Sequence, residues 1–207
     1  MHTQNNLRSQ VTAKMFEAAK SEDKPKDAVA LLKADHQEAT KLYKKFFKAK
    51  AAAKKKEIVG QLCLALSVHM RIEEDLFYPA VKKALKAKDK ELVPEARVEH
   101  ASLKRLITEV ESAPEGEEFD ARVQVMCEYT THHVKEEETK MFPKARASGV
   151  DMQDLGTKLL RRKLELLDQM ASKASHRSKA PKPSSLFKQR ASRTVRGNGS
   201  RHHAARG

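Results

Sequence analysis

The sequence predicts an all-α chain: an up-down-up-down four-helix bundle with flanking N- and C-terminal helices and a disordered basic tail. Three observations carry that reading. Ala, Leu, Lys and Glu dominate, and only 7 Gly and 7 Pro occur in 207 residues, a composition that favours helix. Apolar residues recur at steps of three and four in four successive segments, the spacing of one helical face. No alternating run of strand length interrupts them. Finally, a stretch occurs twice. His69, Glu73, Glu74 and Pro79 return as His133, Glu137, Glu138 and Pro143, each 64 positions later. The same shift turns His36 into His100 and Cys63 into Cys127, so the bundle reads as two copies of one helical hairpin.

Each element has a local reason. Residues 1–24 form a polar extension with a short amphipathic piece carrying Leu7, Val11, Met15 and Phe16. Pro25 and Asp27 are start signals for the first bundle helix, whose stripe is Leu32, His36, Ala39, Tyr43 and Phe46. A lysine-rich, alanine-studded run at 48–56 connects to the second stripe, Ile58, Leu62, Ala65, His69, Ile72, Glu73, Leu76, Phe77 and Ala80, which fades by about residue 88. Pro94 suits the first turn of a third helix with Ala96, His100, Leu103, Ile107 and Val110 on its inner face. Ala113-Pro114-Glu115-Gly116 breaks it. The fourth helix runs from about 118 to 147, with Phe119, Val123, Met126, Thr130, His133, Glu137 and Met141 aligned. Four stripes with short connections close a bundle over residues 25–148. Gly149 stops the fourth helix, and Asp151 opens a C-terminal helix assigned to 149–172. Residues 173–207 lack apolar periodicity and are expected to be disordered.

Charge is distributed unevenly. The net +14 includes ten Lys/Arg and no Asp or Glu beyond residue 170, which leaves +4 for residues 1–170. The basic character belongs mostly to the tail, so it is no argument that the folded body binds nucleic acid. The tail is expected to make weak, salt-sensitive, nonspecific contact with nucleic acid or an anionic surface, or simply to be a solvated extension. No apolar run approaches the roughly 18 residues of a membrane span, nor does the N-terminus resemble a signal peptide. A cytoplasmic protein with no membrane partner is the expectation. Two cysteines do not make a disulfide framework and read as small buried residues.

The inner stripes hold polar side chains where Leu or Val would be expected. Residues four apart on a helix differ by about 40° in direction and about 6 Å in height, so His69 with Glu73, and His133 with Glu137, act as two-pronged units. An ionised glutamate in an apolar stripe costs several kcal/mol unless a charge answers it. No Lys or Arg on the inward stripes does so, whereas one or two divalent cations would. Imidazole and carboxylate donors suit iron, manganese or zinc, and the lack of nearby thiolates argues against structural zinc. The predicted metal ligands are His36, His69, Glu73, His100, His133 and Glu137. With two M²⁺ this set keeps a residual charge of +2, which invites a bridging oxide or hydroxide and leaves positions for an outside ligand. His132 and Glu136 share the same spacing, but the repeat selects 133 and 137. Glu74 and Glu138, about 140° from the histidines five residues earlier, fall behind the ligands or at the hairpin edge. Tyr43 is a candidate proton donor, with core packing as its plainer role.

This pattern resembles the hemerythrin-like family with its histidine–histidine–glutamate cation-binding motif, over roughly residues 26–147. Asp35-His36, the run from His69 to Glu74 ending in Phe77-Tyr78-Pro79, Glu99-His100, and the run from His133 to Pro143 carry the resemblance. It implies a four-helix bundle around a non-haem centre of two iron ions, with Glu73 and Glu137 bridging. Members bind or sense oxygen, nitric oxide or peroxide, or handle iron. Four positions after His100, where oxygen carriers have a fifth histidine, this chain has Lys104, which weighs against reversible oxygen carriage. Ferritin-like proteins differ in using Glu-x-x-His pairs. The expected function is binding or sensing of O2 or NO at a di-iron centre, with catalase- or peroxidase-like chemistry or iron storage as alternatives.

Overall fold

The computed structural model describes residues 27–179 together with positions 12, 13 and 17, and their side chains through Ser172. Apart from positions 12, 13 and 17, which are helical, the expected N-terminal helix and most of the basic tail lie outside the described residues. Within them every regular element is helical.

Helix α1 spans Ala28–Lys48, and its first turn is closed by Asp27, whose side chain accepts from the Ala30 N–H at 3.0 Å. Helix α2, Ala52–Ile72, returns antiparallel against it. It does not fade smoothly: residues Glu73–Phe77 form a π turn, followed by α3, Tyr78–Ala84. A short 3₁₀ turn leads to α4, Leu92–Ser112. The predicted break at Gly116, with φ 143°, precedes α5, Glu117–Glu136. A second π turn, Glu137–Met141, and α6, Phe142–Arg146, finish the second hairpin.

The two π turns stand 64 residues apart, like the motif itself. Their cause is in the sequence. Pro79 and Pro143 lack an N–H, and the proline ring clashes with the carbonyl four residues back. A widened turn just before each proline absorbs the mismatch. Its bond runs from the Tyr78 N–H to the Glu73 carbonyl, and from the Phe142 N–H to the Glu137 carbonyl. Helical periodicity alone predicts continuous helices here and misses both.

Gly149, at φ 82°, ends the bundle in the left-handed conformation that glycine tolerates. Asp151 then caps α7, accepting from the Gln153 and Asp154 N–H groups at 3.0 and 2.9 Å. Helix α7 runs Met152–Lys179, seven residues into the segment expected to lack structure. Nothing between Ser172 and Lys179 breaks a helix; the first breaker is Pro181, which disfavours helix at the residue before it. Leu155, Leu159, Leu166 and Leu167 of α7 are buried, and the helix packs on α1 and α2.

The apolar core has two parts. One holds Leu32, Leu64, Ile72, Phe77, Tyr78, Ala96, Phe142 and the α7 leucines. The other holds Ala39, Phe46, Leu62, Leu66, Leu103, Val123 and Met126. Burying each large side chain contributes about 1.5–3 kcal/mol. Along α1, α2 and α4 the repeated histidine falls between members of one part and members of the other. His133 of α5 falls between Met126 of the second part and Met141 of the first, which lies in the π turn beyond the helix. The polar residues therefore form a layer inside the bundle.

Candidate metal centre

The layer is built from six side chains that are all at most 5% exposed: His36, His69, Glu73, His100, His133 and Glu137. The structure brings all six together. His132 is left outside, with its side chain 65% exposed, as the repeat requires. Cys63 is buried in the apolar core and Cys127 is half-buried.

The histidines meet in pairs, one pair per hairpin. His36 Nε2 lies 3.1 Å from His69 Nε2, and His100 Nε2 lies 3.0 Å from His133 Nε2. Two donors each about 2.1 Å from one ion and at right angles stand about 3.0 Å apart, so each pair matches two neighbouring ligand positions. The glutamates join the pairs. Glu73 Oε2 is 3.2 Å from His69 Nε2 and 3.4 Å from His100 Nε2. Glu137 Oε2 is 3.3 Å from His36 Nε2 and 3.6 Å from His133 Nε2. Donor atoms of His36, His69, Glu73 and Glu137 lie within 4.8 Å of one another, as do those of Glu73, His100 and His133.

Electrostatics make the same point. Both Glu73 carboxylate oxygens and Glu137 Oε2 are buried without a hydrogen bond. Burial beside Glu137 pushes the Glu73 carboxyl well above the usual carboxylate range. Glu137, although equally buried, is held low by the histidines around it. Burial lowers His69 to about 4, with the neighbouring imidazole of His36 adding to the effect, and lowers His100 as well. Imidazoles facing carboxylate oxygens that lack a donor form a set that divalent cations satisfy.

Behind each imidazole stands a carboxylate. His36 Nδ1 donates to Glu138 at 2.9 Å and His100 Nδ1 to Glu74 at 3.1 Å, each across to the other hairpin. His133 Nδ1 donates to Glu99 at 2.7 Å, and His69 Nδ1 faces Asp35 at 3.5 Å, each within its own hairpin. The three hydrogen bonds orient the rings of His36, His100 and His133 and aim their Nε2 atoms inward. Glu74 and Glu138 thus stand behind the ligand positions, as their angular offset suggests. Cations answer these outer carboxylates: Lys104 bonds Glu74 at 2.6 Å, Lys33 approaches Glu138 at 3.4 Å, and Lys163 of α7 bonds Asp35 at 2.5 Å. His100 and Lys104 bring Glu74 down to about 2, although burial opposes the shift. Among the described residues no Lys or Arg pairs with Glu73 or Glu137.

Tyr78 was not legible as a site residue. Five positions after Glu73, an α-helix would turn it about 140° away. The π turn closes a ring one residue larger and brings it back. Its hydroxyl donates to Glu137 Oε1 at 2.8 Å and lies 3.0 Å from His100 Nε2. The signal in the sequence is Pro79, six positions after a buried glutamate. Tyr43, the expected candidate, bonds Thr130 at 3.1 Å instead. A cavity of about 20 Å³ adjoins the layer, lined by His36, His69, His133, Leu66, Leu103 and Thr130 among others.

The family model for the hemerythrin HHE cation binding domain matches residues 27–145. A curated DNA nickase of Nostoc sp. (strain PCC 7120 / SAG 25.82 / UTEX 2576) is 26% identical over 117 residues, covering 56% of this chain and 32% of the relative. The match thus spans about a third of that protein. A crystal structure of an HHE cation binding domain-containing protein from Mycobacterium kansasii, described as a Rv2633c homolog, aligns with a TM-score of 0.60 at 23% identity. It covers 73% of this chain and 91% of that one, a likeness of fold.

Proposed function

The chain belongs to the hemerythrin HHE cation-binding family, and from that premise we propose that its buried layer holds two iron ions and binds or senses O2 or NO. One observation carries the reading. Both oxygens of buried Glu73 and Oε2 of buried Glu137 lack a hydrogen-bond donor and lie between two histidine pairs, beside a cavity of about 20 Å³. Manganese or zinc would fit the same donors, although zinc would supply no redox chemistry. Iron in such a set supplies Lewis acidity and one-electron redox chemistry. The chain's own part is to hold and insulate. His36, His100 and His133 keep their Nε2 atoms inward through the carboxylates behind them, and Glu73 and Glu137 tie the two halves together. Leu66 and Leu103 keep the cavity wall apolar, while the Tyr78 hydroxyl supplies a proton donor at Glu137. The test is the absorption spectrum of the iron-loaded chain. It is expected to bleach under dithionite and to change on exposure to O2 or NO; an iron-loaded chain indifferent to both gases contradicts the reading.

A second reading, catalase- or peroxidase-like turnover of peroxide, is favoured by Tyr78, a hydroxyl that donates to Glu137 at 2.8 Å within the layer. It requires oxygen evolution from peroxide in stopped flow, lost in Glu137→Ala and lowered in Tyr78→Phe. No helix among the described residues is long and apolar enough to cross a membrane. The basic segment 171–207 is proposed to touch polyanions weakly; its deletion would abolish salt-sensitive DNA binding by the chain.

A further inference from the structure

We propose that the groove between α3 and the start of α4 binds a phosphate-bearing small molecule of nucleotide size, and that Tyr78 couples its occupancy to the metal layer. The groove has a volume of about 480 Å³, within the range of roughly 300–1,000 Å³ typical of small-molecule sites. Four cations converge on it from different parts of the fold: Lys82 and Lys83 on α3, Lys90 in the connection, and Arg97 on α4. None forms an ion pair with a carboxylate among the described residues; Arg97 donates to the Glu74 carbonyl oxygen at 3.3 Å, which leaves its charge unanswered. The surrounding run 82–90 carries five lysines and one aspartate, and that aspartate, Asp89, is taken by Lys144 at 2.7 Å.

A solvated lysine face spreads its charges outward along one helix. Here they oppose one another across a concavity with no acidic residue in its lining, an arrangement a multiply charged anion relieves. The rest of the lining is apolar. Pro79 and Pro94 offer an accessible apolar surface to a flat ring, over a floor of buried Tyr78 and Val93. Two or three linked phosphates meet the four cations better than a single phosphate does. An extended nucleic-acid backbone would instead want a continuous charged stripe.

The floor is also the back wall of the metal layer, because the Tyr78 hydroxyl reaches Glu137 and His100. This coupling rests on the metal reading; the binding itself does not.

The experiment titrates the metal-free and iron-loaded full chain with N-methylanthraniloyl-ADP at about 0.15 M salt, where surface charges are largely screened. One saturable site is expected in both forms, displaced by ADP and pyrophosphate. Lys82 and Lys83 are exposed, so Lys82→Glu with Lys83→Glu keeps the fold, checked by circular dichroism, and is expected to weaken binding at least tenfold. Arg190→Ala, Arg193→Ala and Arg196→Ala together should leave binding unchanged. Loss of binding in that tail variant alone, or displacement only by an oligonucleotide, overturns the groove as the site. In the iron-loaded chain ADP is expected to perturb the visible spectrum, and to do so no longer in Tyr78→Phe. Binding without a spectral change overturns the coupling, and a chain that takes up no iron overturns the metal reading while the groove stands.

Discussion

The His36–His69 half and the His100–His133 half of the layer use the same ligand types in the same register, yet they are closed differently. At the position over the first half stands Phe142, stacked on His36 with ring centroids 5.7 Å apart. Its counterpart over the second half is Tyr78, which adds a hydroxyl. Behind His69, Asp35 is neutralised by Lys163, which helps hold it at about 2 against the opposing effect of burial. Behind His133, Glu99 bonds the ring and has exposed His132 at 3.7 Å as a further neighbour. The repeat thus builds the ligands, and the departures from it make the two halves unequal. One half is backed by α7 through Lys163 and adjoins the small cavity. The other carries a proton donor and sits against the basic groove.

The largest effect comes from breaking what the halves share. Each glutamate touches a histidine of both, so Glu73→Ala or Glu137→Ala is expected to lower metal retention at both positions together. The loss should exceed the roughly 10–100-fold typical of residues behind a ligand, as read by competitive chelation. Loss at one position only would mean that the glutamates do not link the halves.

Substitutions behind the ligands sharpen the comparison by acting on one half each. Glu99→Gln is expected to weaken the His133 half by roughly 10–100-fold, and Asp35→Asn the His69 half. Lys163→Met should act in the direction of Asp35→Asn but less strongly, because it removes a contact of the carboxylate and leaves the carboxylate in place. Two-phase chelation kinetics report the halves separately; equal slowing or speeding of both phases would contradict the assignment.

Exchanging the closing rings is the subtler test. Tyr78→Phe makes the second half resemble the first and is expected to leave both metals bound while narrowing the difference between the two iron environments in Mössbauer spectra. Phe142→Tyr should narrow it from the other side.

The smallest expected effect lies at the hairpin starts. Asp27 caps α1 and pairs with Arg146 at 2.8 Å, whereas Glu91, 64 residues later, makes no side-chain cap on α4. Asp27→Ala should destabilise the fold by about 1 kcal/mol, and Glu91→Ala by much less in the same thermal melts. Burial works against the ionised Asp27, but the Ala30 N–H and Arg146 outweigh it and lower its pKa. Its contribution is therefore present at neutral pH and is lost as pH falls below the ordinary carboxylate range through the depressed value.

Much of this was readable in the residues themselves. Helix starts at Asp27 and Asp151, the break at Gly116 and the stop at Gly149 follow from local backbone chemistry. The six inward polar residues follow from period and repeat. What escaped was whatever departs from 3.6 residues per turn or joins distant segments. The π turns hide behind an apparently continuous stripe, and with them Tyr78. Lys163 meets Asp35 only because α7 folds back over α1, 128 residues along the chain. Asp35 and Glu99 are adjacent to ligands in sequence, but which ring each supports depends on how the helices cross.

If the six side chains form one two-metal layer, Fe²⁺ titrated anaerobically into the metal-free chain will report it through the histidine ring resonances followed by NMR. Saturation at two ions per chain is expected, with the signals of His36, His69, His100 and His133 shifted or broadened most. Saturation at one ion, or a strongest response at His132, would contradict the account.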